Sequence, residues 1–347
     1  MRDRFFRYPK IAISFLLVAI GLTFVLESLA KAEEVVNLYT SRHYESDSRL
    51  YALFEVQTGI KVNVTSAKGG ALIEKIQQEG ELTPGDVFIT SDVGNLWRAE
   101  SQDLFLPISS SILDNAISDN LRSPNGTWYG LAKRARVIYY HPARVTDAEL
   151  KDLTYLSLGD AKWKGRVVIR KKNNIYNQSL VSYMIKKHGE KKAKKWVKSL
   201  VENFARKPQG NDRAQIMAVA SGEADLAIAN TYYIGLMLSG AKGPEQMQAA
   251  QQVKLHYPPE VHINISGGGV LKHSKNKDNA ITFLEFLVSK EAQEHNIKNS
   301  HEFSILPDVS PTSEIARFGT FTEDTQPVFY NGKFNELAIK YMDSAGW

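Results

Sequence analysis

Four tyrosines and one histidine stand where the chain reads as loops between strands and helices. Tyr44 and His43 lie in "SRHYES", Tyr176 in "KKNNIYNQS", and Tyr232 and Tyr233 side by side in "ANTYYIG". Other tyrosines have ordinary explanations. Tyr139 and Tyr140 sit in the apolar run "RVIYYHP", where β propensity accounts for them, and Tyr51 and Tyr183 fall at helical spacing with Leu and Met, as core residues do. An ionised phenolate is a hard anionic oxygen donor suited to a hard, highly charged ion such as Fe³⁺. A free phenol, with a pKa near ~10, ligates only when a strong cation displaces its proton. Affinity for such an ion therefore falls with pH. Taken alone, four loop tyrosines also fit stacking or packing.

The competing chemistries are thinly represented. Cysteine is absent, which excludes disulfides, thiolate metal sites, a cysteine nucleophile and a lipid-modified N-terminal cysteine. The chain holds no G-x-S-x-G, H-E-x-x-H or G-x-x-x-x-G-K-[ST] pattern, and no nucleophile, base and orienting group converge, so it does not read as an enzyme. "SGGG" at 266–269 is read as a tight turn that could offer backbone N–H groups to an anion at a helix start. The lysine-rich "KKHGEKKAKKWVKSL" reads as the solvated face of a helix whose buried side is Trp196, Val197 and Leu200.

The elements that must position the tyrosines alternate. "VVNLYT", "IKVNVTSA" and "GDVFITSD" read as strands. Between and after them "SRHYESDSRLYALFEVQTG", "GGALIEKIQQEG" and "VGNLWRAESQDLF" read as helices, an order that predicts a parallel α/β sheet. Ligands of such sheets gather where strand ends lead into helices. "GRVVIR", "QSLVSYMIKKHG" and "DLAIAN" form a second α/β region. "VHINISGGGVLKHS" then reads as a strand passing through a glycine turn and returning to the first, and 347 residues suit two lobes better than one core.

The N-terminus reads as a secretory signal peptide: basic "MRDRFFRYPK", an apolar run of 16 residues, and Ala30-Lys31-Ala32 before cleavage at Glu33. That run is short for a membrane anchor. The leader carries much of the formal charge of +5, so the mature chain is close to neutral and a pI near 9.0 does not argue for nucleic acid.

Together "NLYTSRHYESD", "GDVFITSDVGNLWRA", "WYGLAKRARVIYY", "WKGRVVIRKKNNIYNQSL", "GNDRAQIMAVASGEADLAIANTYYIG" and "HINISGGGVLKHSKNKDNAITFLEFLVS" cover nearly the whole mature chain. They resemble the periplasmic ferric-iron-binding proteins of iron(III) ABC transporters, especially their cyanobacterial branch. The resemblance implies an α/β type 2 periplasmic-binding-protein fold whose two lobes close on Fe³⁺. The lobes would be 33–134 with 262–312, and 135–261 with 313–347, after a signal peptide at 1–32. It implies His43 and Tyr44 as ligands from the first lobe and Tyr176, Tyr232 and Tyr233 from the second, with His43 the variable member. Arg136, and with it Arg134, would lie behind the ligands and offset the excess negative charge of four phenolates around Fe³⁺. It further implies a monomeric transport binder in the periplasm that serves an inner-membrane permease. A relative of the same fold holding a small organic or phosphorus-containing anion is the alternative, and it would use "SGGG" and arginine contacts.

Overall fold

The computed structural model describes residues 34–42 and 46–347. The expected signal peptide lies outside the described residues. The strands are β1 (Val35–Thr40), β2 (Lys61–Ser66), β3 (Val87–Thr90), β4 (Tyr129–Tyr140), β5 (Val167–Val168), β6 (Leu226–Asn230), β7 (Lys254–His256) and β8 (Ile263–Val270). They are hydrogen-bonded in the order β2-β1-β3-β8-β4-β6-β5, with β7 also on β4. Helices Asp47–Thr58, Gly69–Glu79 and Val93–Ser101 follow the first three strands as the alternation predicts. Gly59 closes the first of them in the left-handed region at φ 74°, a conformation that glycine adopts without a Cβ penalty.

The sheet is mixed rather than parallel. β1 pairs in parallel with β2 and β3, and β5 with β6. β8 runs antiparallel to both β3 and β4. The reason is topological: β4 carries the chain out of the first half of the sheet and β8 carries it back, so the two run in opposite directions.

β4 is the element on which the architecture turns. Its residues Tyr129 to Ala135 pair with β8, whereas Arg136 to Tyr140 pair with β6. One twelve-residue strand thus serves two halves of the sheet and changes partner between Ala135 and Arg136. Buried Val36, Leu38, Phe54, Leu72, Phe88 and Phe283 belong to the core around the first half. A separate apolar cluster around the second half includes Trp163, Leu180, Met184, Trp196 and Leu226.

"SGGG" is not a turn. Ser266 to Gly269 lie buried inside β8, with Gly267 to Gly269 in register with β3 and Ser266 with β4. A Cβ on Gly268 would sit 2.8 Å from the Phe88 carbonyl oxygen and 2.7 Å from Ile89, and one on Gly267 would sit 2.7 Å from the Tyr129 carbonyl oxygen. The glycines let β8 pass close between its neighbours. No helix starts there: the next begins at Lys277. The helix Glu190–Glu202 buries Ala193, Trp196, Val197 and Leu200, and its lysines face water as expected.

Candidate metal centre

Strand-end chemistry places the tyrosines. β6 ends at Asn230, Thr231 follows, and Tyr232 and Tyr233 are the first two residues of the helix Tyr232–Leu238. The strand's extended backbone turns into helix within one residue, which sets the two rings side by side. Their centroids lie 4.1 Å apart at 30°. Tyr176 is the second residue of the helix Ile175–His188, and its hydroxyl lies 3.5 Å from that of Tyr232. Three expected site residues from two separate helix starts are therefore brought together. His43 and Tyr44 lie outside the described residues. Among the described residues no group of three His, Asp or Glu could hold a metal. The clustered donors here are phenols.

Arg134 and Arg136 flank the point where β4 changes partner, and alternation puts both on the same side with Ala135 opposite. Arg134 is the nearer to the tyrosines: its guanidinium lies 5.2 Å from the Tyr176 ring centroid, and that of Arg136 lies 6.0 Å away. Both are 2% exposed and both meet carboxylates. Arg136 Nη1 donates to Asp212 Oδ2 at 3.2 Å and to Asn230 Oδ1 at 3.0 Å, and Nη2 donates to Asn177 Oδ1 at 2.5 Å. Arg134 donates to the Ile265 carbonyl and has Glu302 Oε1 3.5 Å from its Nε. Burial works against the Arg134 charge, but Tyr176, Glu302 and Asp92 outweigh it and hold the group above its ordinary pKa.

Sequence reasoning missed four participants. Arg170 lies 5.6 Å from the Tyr176 ring centroid. Asp212 opens the helix Asp212–Ser221, is fully buried, and accepts from Arg136, from Arg170 at 3.4 Å and from the Asn230 amide at 3.0 Å. Asn177 braces Arg136 one residue after Tyr176. Glu302 comes from the segment after the helix Lys290–Ser300, far along the chain. Arg170 could have been found as the last residue of "GRVVIR", at the strand end before Tyr176; Glu302 carries no such local signal.

Asp92 completes the surroundings. It follows β3, caps the helix Val93–Ser101 by accepting from the Gly94 amide, and accepts from Ser179 Oγ at 2.8 Å. Asn264 of β8 donates to its other oxygen at 3.0 Å. Ser179 lies three residues beyond Tyr176, on the same helix. Burial pushes the Asp92 carboxyl up to about 6, with Arg134 and these donors opposing.

Tyr233 is not a ready-made anion. Burial pushes Tyr233 well above the ordinary phenol value, Tyr176 and Asp212 add to the rise, and contacts with Tyr232 and Arg170 oppose it. Tyr232 is 3% exposed. The arrangement is a set of hard oxygen donors, buried at Tyr232 and half-buried at Tyr176 and Tyr233, with three guanidinium groups nearby to balance the anions that form when a strongly charged cation binds.

Known proteins share this fold and much of this sequence. The family profile described as bacterial extracellular solute-binding protein matches residues 49–323. Iron uptake protein A1 of Synechocystis is 46% identical over 319 residues, 91% of this chain and 88% of that protein. The Fe(3+)-binding periplasmic protein of Serratia marcescens is 30% identical over 281 residues, 80% of each. A Trichodesmium protein solved in complex with iron and citrate ligands is 47% identical, with a TM-score of 0.87 over 90% of this chain and 99% of that one. The chain thus belongs to the bacterial extracellular solute-binding proteins, within their branch of ferric-iron-binding iron uptake proteins.

Proposed function

We propose that the mature chain captures one ferric ion in the periplasm and delivers it, as a monomer, to an inner-membrane ABC permease. The observation that carries this reading is the convergence of the Tyr176, Tyr232 and Tyr233 phenols beside Arg134, Arg136 and Arg170. Tyr44 and, in part, His43 complete the set from the other lobe. The lobes are 33–134 with 262–312 and 135–261 with 313–347; the partner change at Ala135/Arg136 supports the first boundary. Cargo iron bridges the lobes, so binding and closure are one event. A cleaved leader at 1–32 would bring the chain to this compartment.

The anion-binding alternative loses its two supports. "SGGG" spends its backbone on the β8 ladder, and Arg134 and Arg136 already face Glu302 and Asp212. Mixing purified mature protein with ferric citrate tests the reading directly. A visible phenolate-to-iron charge-transfer band is expected, and a colourless stoichiometric complex overturns the tyrosinate assignment. Calorimetry against a panel of phosphate and organic anions should show no comparable binding.

A further inference from the structure

Glu302 joins two parts of the site that lie far apart in sequence. It is 1% exposed. Its Oε2 accepts from Arg42 Nη1 at 3.1 Å, its Oε1 lies 3.5 Å from Arg134 Nε, and Ser266 Oγ donates to Oε1 at 3.1 Å. Arg42 immediately precedes His43 and Tyr44, and Arg134 faces the Tyr176 ring. One buried carboxylate is therefore shared by two guanidinium groups, one entering the first ligand segment and one beside the second.

The sharing is unequal. Arg42 has a second carboxylate, Asp47 at 3.0 Å, and donates to Asn296 at 2.8 Å. Arg134 pairs with no carboxylate but Glu302 among the described residues, and its Nε has no hydrogen-bond partner there. We infer that Glu302 is a positioning residue that anchors Arg42 and sets how much of the Arg134 charge reaches the tyrosines. Among the described residues it makes no hydrogen bond to a tyrosine. It works by holding one arginine and partly cancelling the other, in an interior where one unit charge is felt across several ångströms.

The inference rests on the ferric-tyrosinate reading, so the wild-type complex is the first control. Glu302→Gln removes the charge and keeps the shape. Arg134 then stabilises the phenolates more strongly, which lowers the energy of their electrons. The charge-transfer band should move to shorter wavelength, and iron should resist competition by citrate about tenfold better, the order of effect of one charge at this range. Glu302→Asp keeps the charge but withdraws it by one methylene; it should shift the band the same way by less, and it carries the test where E302Q fails to fold. A purely structural Glu302 would lower stability without moving the band. A colourless wild type defeats the metal reading itself. A coloured wild type with an unmoved or red-shifted band in the variants overturns this inference alone.

Discussion

On the proposed reading, the residues that matter most are phenols that must lose protons to bind iron. Tyr233 is held above the ordinary phenol value by burial first and by Tyr176 and Asp212 next, so at neutral pH it enters the reaction protonated. Iron binding must therefore release protons, and affinity should fall as pH falls. Tyr233→Phe should lose one of those protons as well as one ligand. Measured by calorimetry in buffers of different ionisation enthalpy, proton release should drop by about one, with affinity down tenfold or more and the visible band shifted. Unchanged proton release in Y233F would show that Tyr233 keeps its proton and does not ligate. At this scale the sequence was readable where residue type and loop position coincide, as for Tyr176 and Tyr232. Asp212 was not readable: a lone acidic residue opening a helix looks like routine capping. Only the fold brings Arg136, Arg170 and the Asn230 amide onto it.

Elements position these residues through short, buried polar links. Asp92 ties the end of β3 to the helix of Tyr176 through Ser179 and to β8 through Asn264. Its carboxyl is pushed from 3.8 to about 6, so the folded state holds this proton more tightly than the unfolded chain does. The stability it contributes is present below pH 4 and is lost as pH rises through 6, about 3 kcal/mol across that window for a shift of about two units. Asp92→Asn should flatten this part of the stability profile. Denaturant midpoints at pH 4.5 and 7 check it, and a slope identical to wild type would show that Asp92 titrates normally. β8 supplies the companion lesson. Three glycines in a row resemble a turn because glycine is the usual turn residue, yet Gly267 and Gly268 sit where the backbones of β4 and β3 leave no space for a Cβ, and Gly269 where the Thr127 carbonyl leaves none. Periodicity cannot reveal that closeness, because it is a property of β3 and β4 rather than of β8. Gly268→Ala should therefore cost about 1–3 kcal/mol in urea denaturation, as overpacking does. A variant as stable as wild type would mean that the strands separate freely.

The whole molecule is organised around two strands that run in opposite directions between the halves of the sheet. The helical alternation on either side was legible because the helices carry their own apolar faces, and several, such as Asp47–Thr58, Gly69–Glu79, Ile175–His188 and Asp212–Ser221, end at a glycine. The mixed pairing was not, since strand direction depends on where the chain returns rather than on local pattern. With β4 changing partner at Ala135/Arg136, the tyrosines of the second half lie next to the crossing point. On the proposed reading, metal that reaches them recruits Tyr44, and a small rotation about these strands closes the lobes. Binding and closure then separate experimentally. Tyr44→Phe leaves Tyr176, Tyr232 and Tyr233 in place, so a coloured ferric complex should still form, with reduced intensity and weaker affinity. It should lack the decrease in radius of gyration that wild type shows on iron addition in small-angle scattering. It should also lose part of the metal-induced rise in Tm, because the stabilisation by a ligand grows as the logarithm of one plus its concentration over Kd and so shrinks as affinity weakens. A Y44F protein that still contracts on binding iron would place the bridge elsewhere and require another first-lobe ligand, and His43 is the residue to replace next.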